Sequence, residues 1–194
     1  MKGLLTVVAA VLLLLAVVSC KDGKESITAV QVGDQTQMGV FVDGKLSGLG
    51  LISNGPNNIE SIGAWKGGVI DGLGMRVNKI YTDIGEFTNG AMNGKGIKKS
   101  ISGDVYLGNF IADNYQGKGV LFYADGRTYS GAFKNNLPEG IGTMQSPGGN
   151  VYIGAFKEGM YEGDGILLLA NGKRWEGKFV HNEPTATAKF YYHH

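Results

Sequence analysis

The chain has 194 residues and 33 of them are glycine, about 17% against the roughly 7% usual in soluble proteins. Four prolines and no strict glycine-every-third period exclude a collagen helix, and 43% apolar content excludes an ordinary disordered chain. Only 18% of residues are charged, with 18 Lys plus Arg against 17 Asp plus Glu, so no basic field exists to steer nucleic acid and no nucleic-acid partner is expected.

The first element is an export signal: Lys2, an apolar run over residues 4–18, then the small Ser19. Its alternative, a single membrane anchor, is disfavoured because 15 residues fall short of the roughly 20 that span a bilayer. Cys20 is the sole cysteine, so no internal disulfide can form. Val17-Val18-Ser19-Cys20 resembles a bacterial lipobox, which implies a lipoprotein signal peptide over 1–19, lipid attachment (diacylglyceryl, palmitate-type) at Cys20 and cleavage just before it. Lys21 after the cysteine resembles lipoproteins sent to an outer membrane, so the expected location is the bacterial envelope, periplasmic or surface-facing. Residues 20–36 then form a lipidated tether, and its end over 26–36 is either a leading strand that caps the first edge or an extended linker.

From residue 37 to the end the chain repeats. Tyr-x-Gly-x-Phe begins at Tyr106, Tyr129 and Tyr152, with a Trp175 variant next, each start 23 residues after the last. A Gly-x-Gly pair follows at fixed offset: Gly117 and Gly119, Gly140 and Gly142, Gly163 and Gly165. Degenerate copies begin at Gln37, Ser61 and Asp83, giving seven in all, each with glycine third and an aromatic residue fifth. Positions one, three and five share one strand face. Turn residues follow, such as Asp43-Gly44, Asn89-Gly90, Asn135-Asn136 and Glu158-Gly159. A second strand carries the glycine pair into a second turn at Asp125-Gly126, Gly148-Gly149 or Asn171-Gly172. Each repeat therefore reads as one β-hairpin, and seven give about 14 strands of an all-β, elongated, single-layer antiparallel sheet. The glycines leave room for a neighbouring repeat's ring to lie on bare backbone. The last copy has Ala186 and Ala188 where the pair belongs, as an end cap should, and residues 189–194 supply its final strand.

The repeated unit of Tyr-x-Gly-x-Phe, glycine pair and closing Asp-Gly resembles the MORN repeat (membrane occupation and recognition nexus), best over 106–128, 129–151 and 152–174. Departures include Asp113 and Asn136 in place of the turn glycine. The resemblance implies a curved single-layer sheet used as a scaffold for proteins or, in some members, proposed to contact acidic lipids. It also implies no enzymatic activity here, because no residues remain for a catalytic domain.

The candidate sites follow from the same pattern. Phe41, Trp65, Phe87, Phe110, Phe133, Phe156 and Phe179 form a packing spine. The leading Tyr106, Tyr129, Tyr152 and Trp175 are candidates for a concave binding groove, because a single layer cannot bury both faces. The Gly-x-Gly pairs precede no helix and cradle no phosphate, so no cofactor is expected. His181, His193 and His194 read as surface residues, with no metal site. Glu158, Glu162 and Asp164 cluster in one repeat, but turn and solvated-face roles account for them better than catalysis. Apolar runs at 120–123 and 166–169 mark patches for a partner or for self-association. The expected function is a non-enzymatic, lipid-anchored envelope scaffold that binds a protein. A glycan- or peptidoglycan-binding module using the aromatic groove is the alternative, and an accessory or inhibitor of a neighbouring enzyme comes third.

Overall fold

The computed structural model describes residues 27–55 and 58–192. Cys20, residues 21–25, His193 and His194 lie outside them. Among the described residues every regular element is a strand: β1 (Thr28–Val32), β2 (Gln35–Val42), β3 (Lys45–Asn54), β4 (Ile59–Lys66), β5 (Val69–Val77), β6 (Tyr81–Thr88), β7 (Ala91–Ser100), β8 (Val105–Ile111), β9 (Asn114–Phe122), β10 (Thr128–Lys134), β11 (Leu137–Gln145), β12 (Val151–Lys157), β13 (Met160–Leu168), β14 (Arg174–Val180), β15 (Glu183–Pro184) and β16 (Lys189–Tyr191). They form one open antiparallel sheet in chain order from β1 to β15, with β16 returning to β14. Two strands beyond the expected 14 come from the ends. Thr28 pairs with Gly39, so β1 is a true leading strand, and the last repeat splits its second strand into β15 and β16.

Two compact units divide the chain, Met1–Asn78 with Glu86–Ala91, and Lys79–Gly85 with Met92–His194. Each is built from the same hairpin. The tight turn falls where the sequence placed it, with both central residues at positive φ: Asp43 and Gly44 at 49° and 71°, Asn135 and Asn136 at 49° and 71°, Glu158 and Gly159 at 51° and 83°. Two successive positive φ values match the right-handed twist of the flanking strands, and Gly, Asn and Asp reach them at least cost.

One face of the sheet carries three parallel rows, seen most fully in the C-terminal unit. The middle row is glycine on every strand: Gly96, Gly108, Gly119, Gly131, Gly142, Gly154, Gly165 and Gly177 pair in sequence. On one side of it Tyr106, Leu121, Tyr129, Met144, Tyr152, Leu167 and Trp175 follow one another across the strands. On the other side stand the fifth-position rings. Trp65, Phe87, Phe110, Phe133, Phe156 and Phe179 are buried and Phe41 is half-buried. This is the inner face and holds most of the buried side chains; Leu51, Ile62 and Met75 form a further buried cluster on the opposite face of the N-terminal unit.

The glycine strip is filled in two ways. In the repeats that lead with tyrosine, that ring folds over its own hairpin's glycines: a Cβ added to Gly119 would meet the Tyr106 ring, and one added to Gly165 the Tyr152 ring. The expectation that a neighbouring repeat's ring covers the strip is corrected here. The leading side chain sits two residues from its own glycine on the same strand face, and is nearer than any ring from the next hairpin. In the repeats that lead with Gln37, Ser61 or Asp83, the first inward residue of the second strand takes over. Leu46, Ile70 and Met92 are each buried and reach onto Gly50, Gly74 and Gly96. The loss of the leading ring is thus compensated by a long aliphatic chain nine positions on.

Neighbouring hairpins are also tied through their turns. The second turn residue donates its backbone N–H to the carbonyl of the previous hairpin's tenth position, Asp113 to Met92, Asn136 to Tyr115, Gly159 to Pro138 and Asn182 to Tyr161. Where that turn residue is Asp or Asn, its Oδ1 accepts a return bond from the same partner's N–H: Met92 to Asp113, Tyr115 to Asn136, Tyr161 to Asn182. Pro138 has no N–H to give, and the residue opposite it is Gly159. Asp113 and Asn136 are therefore not lapses from the turn glycine but acceptors matched to a donor.

Candidate functional site

The proposed aromatic groove is the first site to place. Tyr106, Tyr129 and Tyr152 are fully buried, at 0% exposure, and each donates its hydroxyl to the carbonyl three residues on, Asn109, Ala132 and Ala155 at 3.0, 2.8 and 3.0 Å. Tyr115 stacks on Tyr106 and Tyr161 on Tyr152, each with centroids 3.8 Å apart and planes within 8°. The next repeat closes the other side edge-on, Phe133 against Tyr106 at 4.9 Å and Phe179 against Tyr152 at 5.0 Å. The groove reading of these three residues is corrected: with their own repeat and the next supplying rings and the glycines supplying a floor, a single layer does bury them. Trp175 is half-buried and rests on Phe190 of the closing strand at 4.7 Å.

Burial pushes the hydroxyls of Tyr106, Tyr129 and Tyr152 up to about 12 from an ordinary 10.0. Tyr115 rises to about 12 as well, through burial and then the Asp104 carboxylate. Below pH 10 these phenols are neutral whether the chain is folded or not and add no pH dependence. Between pH 10 and 12 only the unfolded chain ionises, so stability falls with rising pH by about 1.4 kcal/mol per unit for each buried ring. Tyrosinate absorbance from the buried set is expected to appear together with loss of the sheet's circular dichroism. Full ionisation of every tyrosine near pH 10 with the sheet intact would show that these rings are open to solvent.

One carboxylate of the acidic cluster, that of Glu162, ties the turn of the next hairpin. The Glu162 carboxylate accepts from the His181 backbone N–H at 3.1 Å, and Glu139 accepts from that of Glu158 at 3.0 Å. Asp71 and Gln116 hold the equivalent place, bonding to the N–H of Asn89 and Asn135. An acceptor at the eleventh position recurs in Asp71, Asn93, Gln116, Glu139 and Glu162. That recurrence was the available signal for a role the carboxylates alone did not reveal. Among the described residues no group of three or more His, Cys, Asp or Glu is placed to hold a metal.

What remains open is the outer face. In the C-terminal unit Ile97, Leu107, Val120, Ser130, Thr143, Ile153 and Ile166 pair in one unbroken row, and Ile97, Leu107 and Ile153 are 38%, 38% and 44% exposed. The two apolar runs singled out above contribute alternate residues to it. Val120 and Phe122 look outward while Leu121 is buried, and Ile166 and Leu168 look outward beside the inward Leu167. The small side chains of Ser130 and Ala132 leave a shallow depression of about 560 Å³, walled by Leu107, Val120 and Ile141 with the Lys118 ammonium stem at its rim.

A tandem array of hairpins in one open sheet, each glycine strip covered by the hairpin's leading ring or by its aliphatic tenth residue, defines a repeat protein. The MORN repeat pattern matches residues 62–77, 84–105, 106–126, 129–151 and 152–174, together more than half of the chain, and the protein belongs to that family. MORN repeats are protein- or membrane-binding repeats and form a non-enzymatic scaffold family. No curated protein matches the chain.

Proposed function

We propose that the protein is a non-enzymatic scaffold of the bacterial cell envelope, anchored by lipid at Cys20, that presents the outer face of its hairpin sheet to a protein partner. The observation that carries this reading is the outer aliphatic row. The inner face spends its rings on packing, while Ile97, Leu107 and Ile153 stay 38–44% exposed beside a depression with one cationic rim. Flat aliphatic surface of this kind suits a protein face better than a sugar ring, which needs an exposed aromatic platform. The glycan reading rested on Tyr106, Tyr129, Tyr152 and Trp175; enclosure of the three tyrosines leaves it only the half-buried Trp175.

The anchor and the face are tested separately. Inhibition of signal peptidase II by globomycin is expected to accumulate the precursor, and normal processing under the drug would end the lipoprotein assignment. For the face, a Leu107→Glu, Ile153→Glu double variant should keep its sheet, because half-exposed outer positions tolerate charge within about 0.5 kcal/mol. It should lose the crosslinked protein partner that the native chain captures in intact cells. Undiminished capture by the double variant would move the interface elsewhere.

A further inference from the structure

The two ends of the sheet are finished differently. At the C-terminal end β14 is flanked by β15 and β16, pieces of two and three residues, the first carrying Pro184 and the second Lys189. Short broken strands, proline and lysine are devices that keep an edge from pairing with another chain. β1 has none of them. It pairs with β2 without a register shift, from Thr28↔Gly39 to Val32↔Gln35, and all five of its residues are exposed. Residues 27–32 hold no charge, proline or glycine and are rich in β-branched side chains. A two-residue turn, Gly33-Asp34 with Gly33 at φ 61°, joins β1 to β2, so Val32 and Gln35 exchange backbone hydrogen bonds and the pattern alternates from there. Thr28, Val30 and Val32 direct their N–H and C=O groups to β2, while Ala29 and Gln31 direct theirs to the free edge. The side chains of Thr28, Val30 and Val32 share the face of Gly39, which is the inner face, and the two valines are 37% and 51% exposed there. Among the described residues no strand flanks β1 on that side.

We propose that β1 is the contact of a two-fold dimer, in which two copies of this chain pair their first strands antiparallel about Val30. The fit of the strand to itself selects a second copy as the occupant. In that register Ala29 lies opposite Gln31 of the second copy, and the two exchange the backbone bonds that face the edge. The small side chain meets the long one on the outer face. Val30 lies opposite its own counterpart and Thr28 opposite Val32 of the second copy, so the exposed valines of both chains meet on the inner face. Neither strand is charged, and like therefore meets like without repulsion. A head-to-tail array would need β1 to add to the other end of the sheet, where Pro184 and Lys189 oppose pairing, so the contact closes at two copies. The interface is small, of the transient class, and its occupancy follows the local concentration of the chain.

The test uses the full chain in expressing cells, with Cys20→Ala so that an introduced cysteine is the sole one. At Val30→Cys the two residues face each other across the two-fold axis with Cα atoms about 4.5 Å apart, inside disulfide range. At Ala29→Cys they are about 9 Å apart, outside it. Mild oxidation is expected to give a disulfide-linked dimer from Val30→Cys, joining residue 30 to residue 30 by peptide mapping, at about tenfold or more the yield from Ala29→Cys. Equal yields, no dimer, or a bond to a different protein would overturn the proposal. Gln31→Pro supplies a second measurement, because the N–H it removes faces the free edge and makes no bond to β2. Added to Val30→Cys, it should lower the dimer yield about tenfold while the purified variant keeps the circular dichroism of the sheet. An unchanged yield would refute the pairing, whatever Leu107→Glu, Ile153→Glu does to partner capture by the outer face.

Discussion

Gly119→Ala is expected to destabilise the protein by about 3 kcal/mol or more, a large effect for one methyl group. An added Cβ would lie 2.5 Å from the Tyr106 hydroxyl oxygen and 2.6 Å from Cε2. The ring cannot give way: Tyr115 stacks on it, and Phe110 and Phe133 meet it edge-on at 5.1 and 4.9 Å. Backbone conformation is not the cause, because Gly119 has no positive φ. Gly148→Ala is the matched control. It too lacks a positive φ and would meet nothing within 4 Å, so its denaturation midpoint should stay within about 0.5 kcal/mol of the native value. Comparable midpoints for the two variants in urea would mean that the ring does not lie on the strip.

The second large effect is at Tyr152. Truncation to alanine removes a ring that is 0% exposed and touches Phe156, Tyr161 and Phe179 at once, and should cost about 3–5 kcal/mol. Tyr152→Phe keeps those contacts and loses only the bond to the Ala155 carbonyl, so about 1–2 kcal/mol is expected. The ratio matters more than either value. A surface groove residue would show the reverse pattern, near-neutral stability for both changes and loss of binding. Thermal or urea unfolding of the two variants decides between these outcomes without knowledge of any partner.

Most of the hairpin plan was legible in the sequence because its determinants are local. The 23-residue period, the glycines at position three and the turn pairs each act within one repeat, and Asp43-Gly44 or Glu158-Gly159 turn where composition says they must. The fate of Tyr106, Tyr129 and Tyr152 was not legible, although the pattern put them on the same face as the phenylalanines. Whether a ring on a one-layer sheet is open or enclosed depends on the ring that the next hairpin places beside it, here 4.9 Å away for Tyr106 and Phe133. The role of Asp113 and Asn136, departures from the turn glycine, was not legible for a similar reason. Their partners, Met92 and Tyr115, stand one hairpin back, and only the register brings donor and acceptor together. The compensation of Gln37, Ser61 and Asp83 by Leu46, Ile70 and Met92 left a trace in the sequence, a Leu, Ile or Met at the tenth position of each repeat that lacks a leading ring.

The matched turns also constrain how such a chain can lengthen or shorten over generations. Duplication or deletion of one whole repeat preserves strand register, but it changes which two repeats become neighbours. Loss of residues 106–128 would set Met92 opposite Asn136, again a donor facing an acceptor. Loss of 129–151 would set Tyr115 opposite Gly159, a donor facing glycine, the arrangement that Leu46 with Gly68 and Ile70 with Gly90 already have. A glycine turn accepts any neighbour, whereas Asp113, Asn136 and Asn182 gain their second bond only opposite a residue with an N–H, so the unit of change is the junction between the end of one hairpin and the turn of the next.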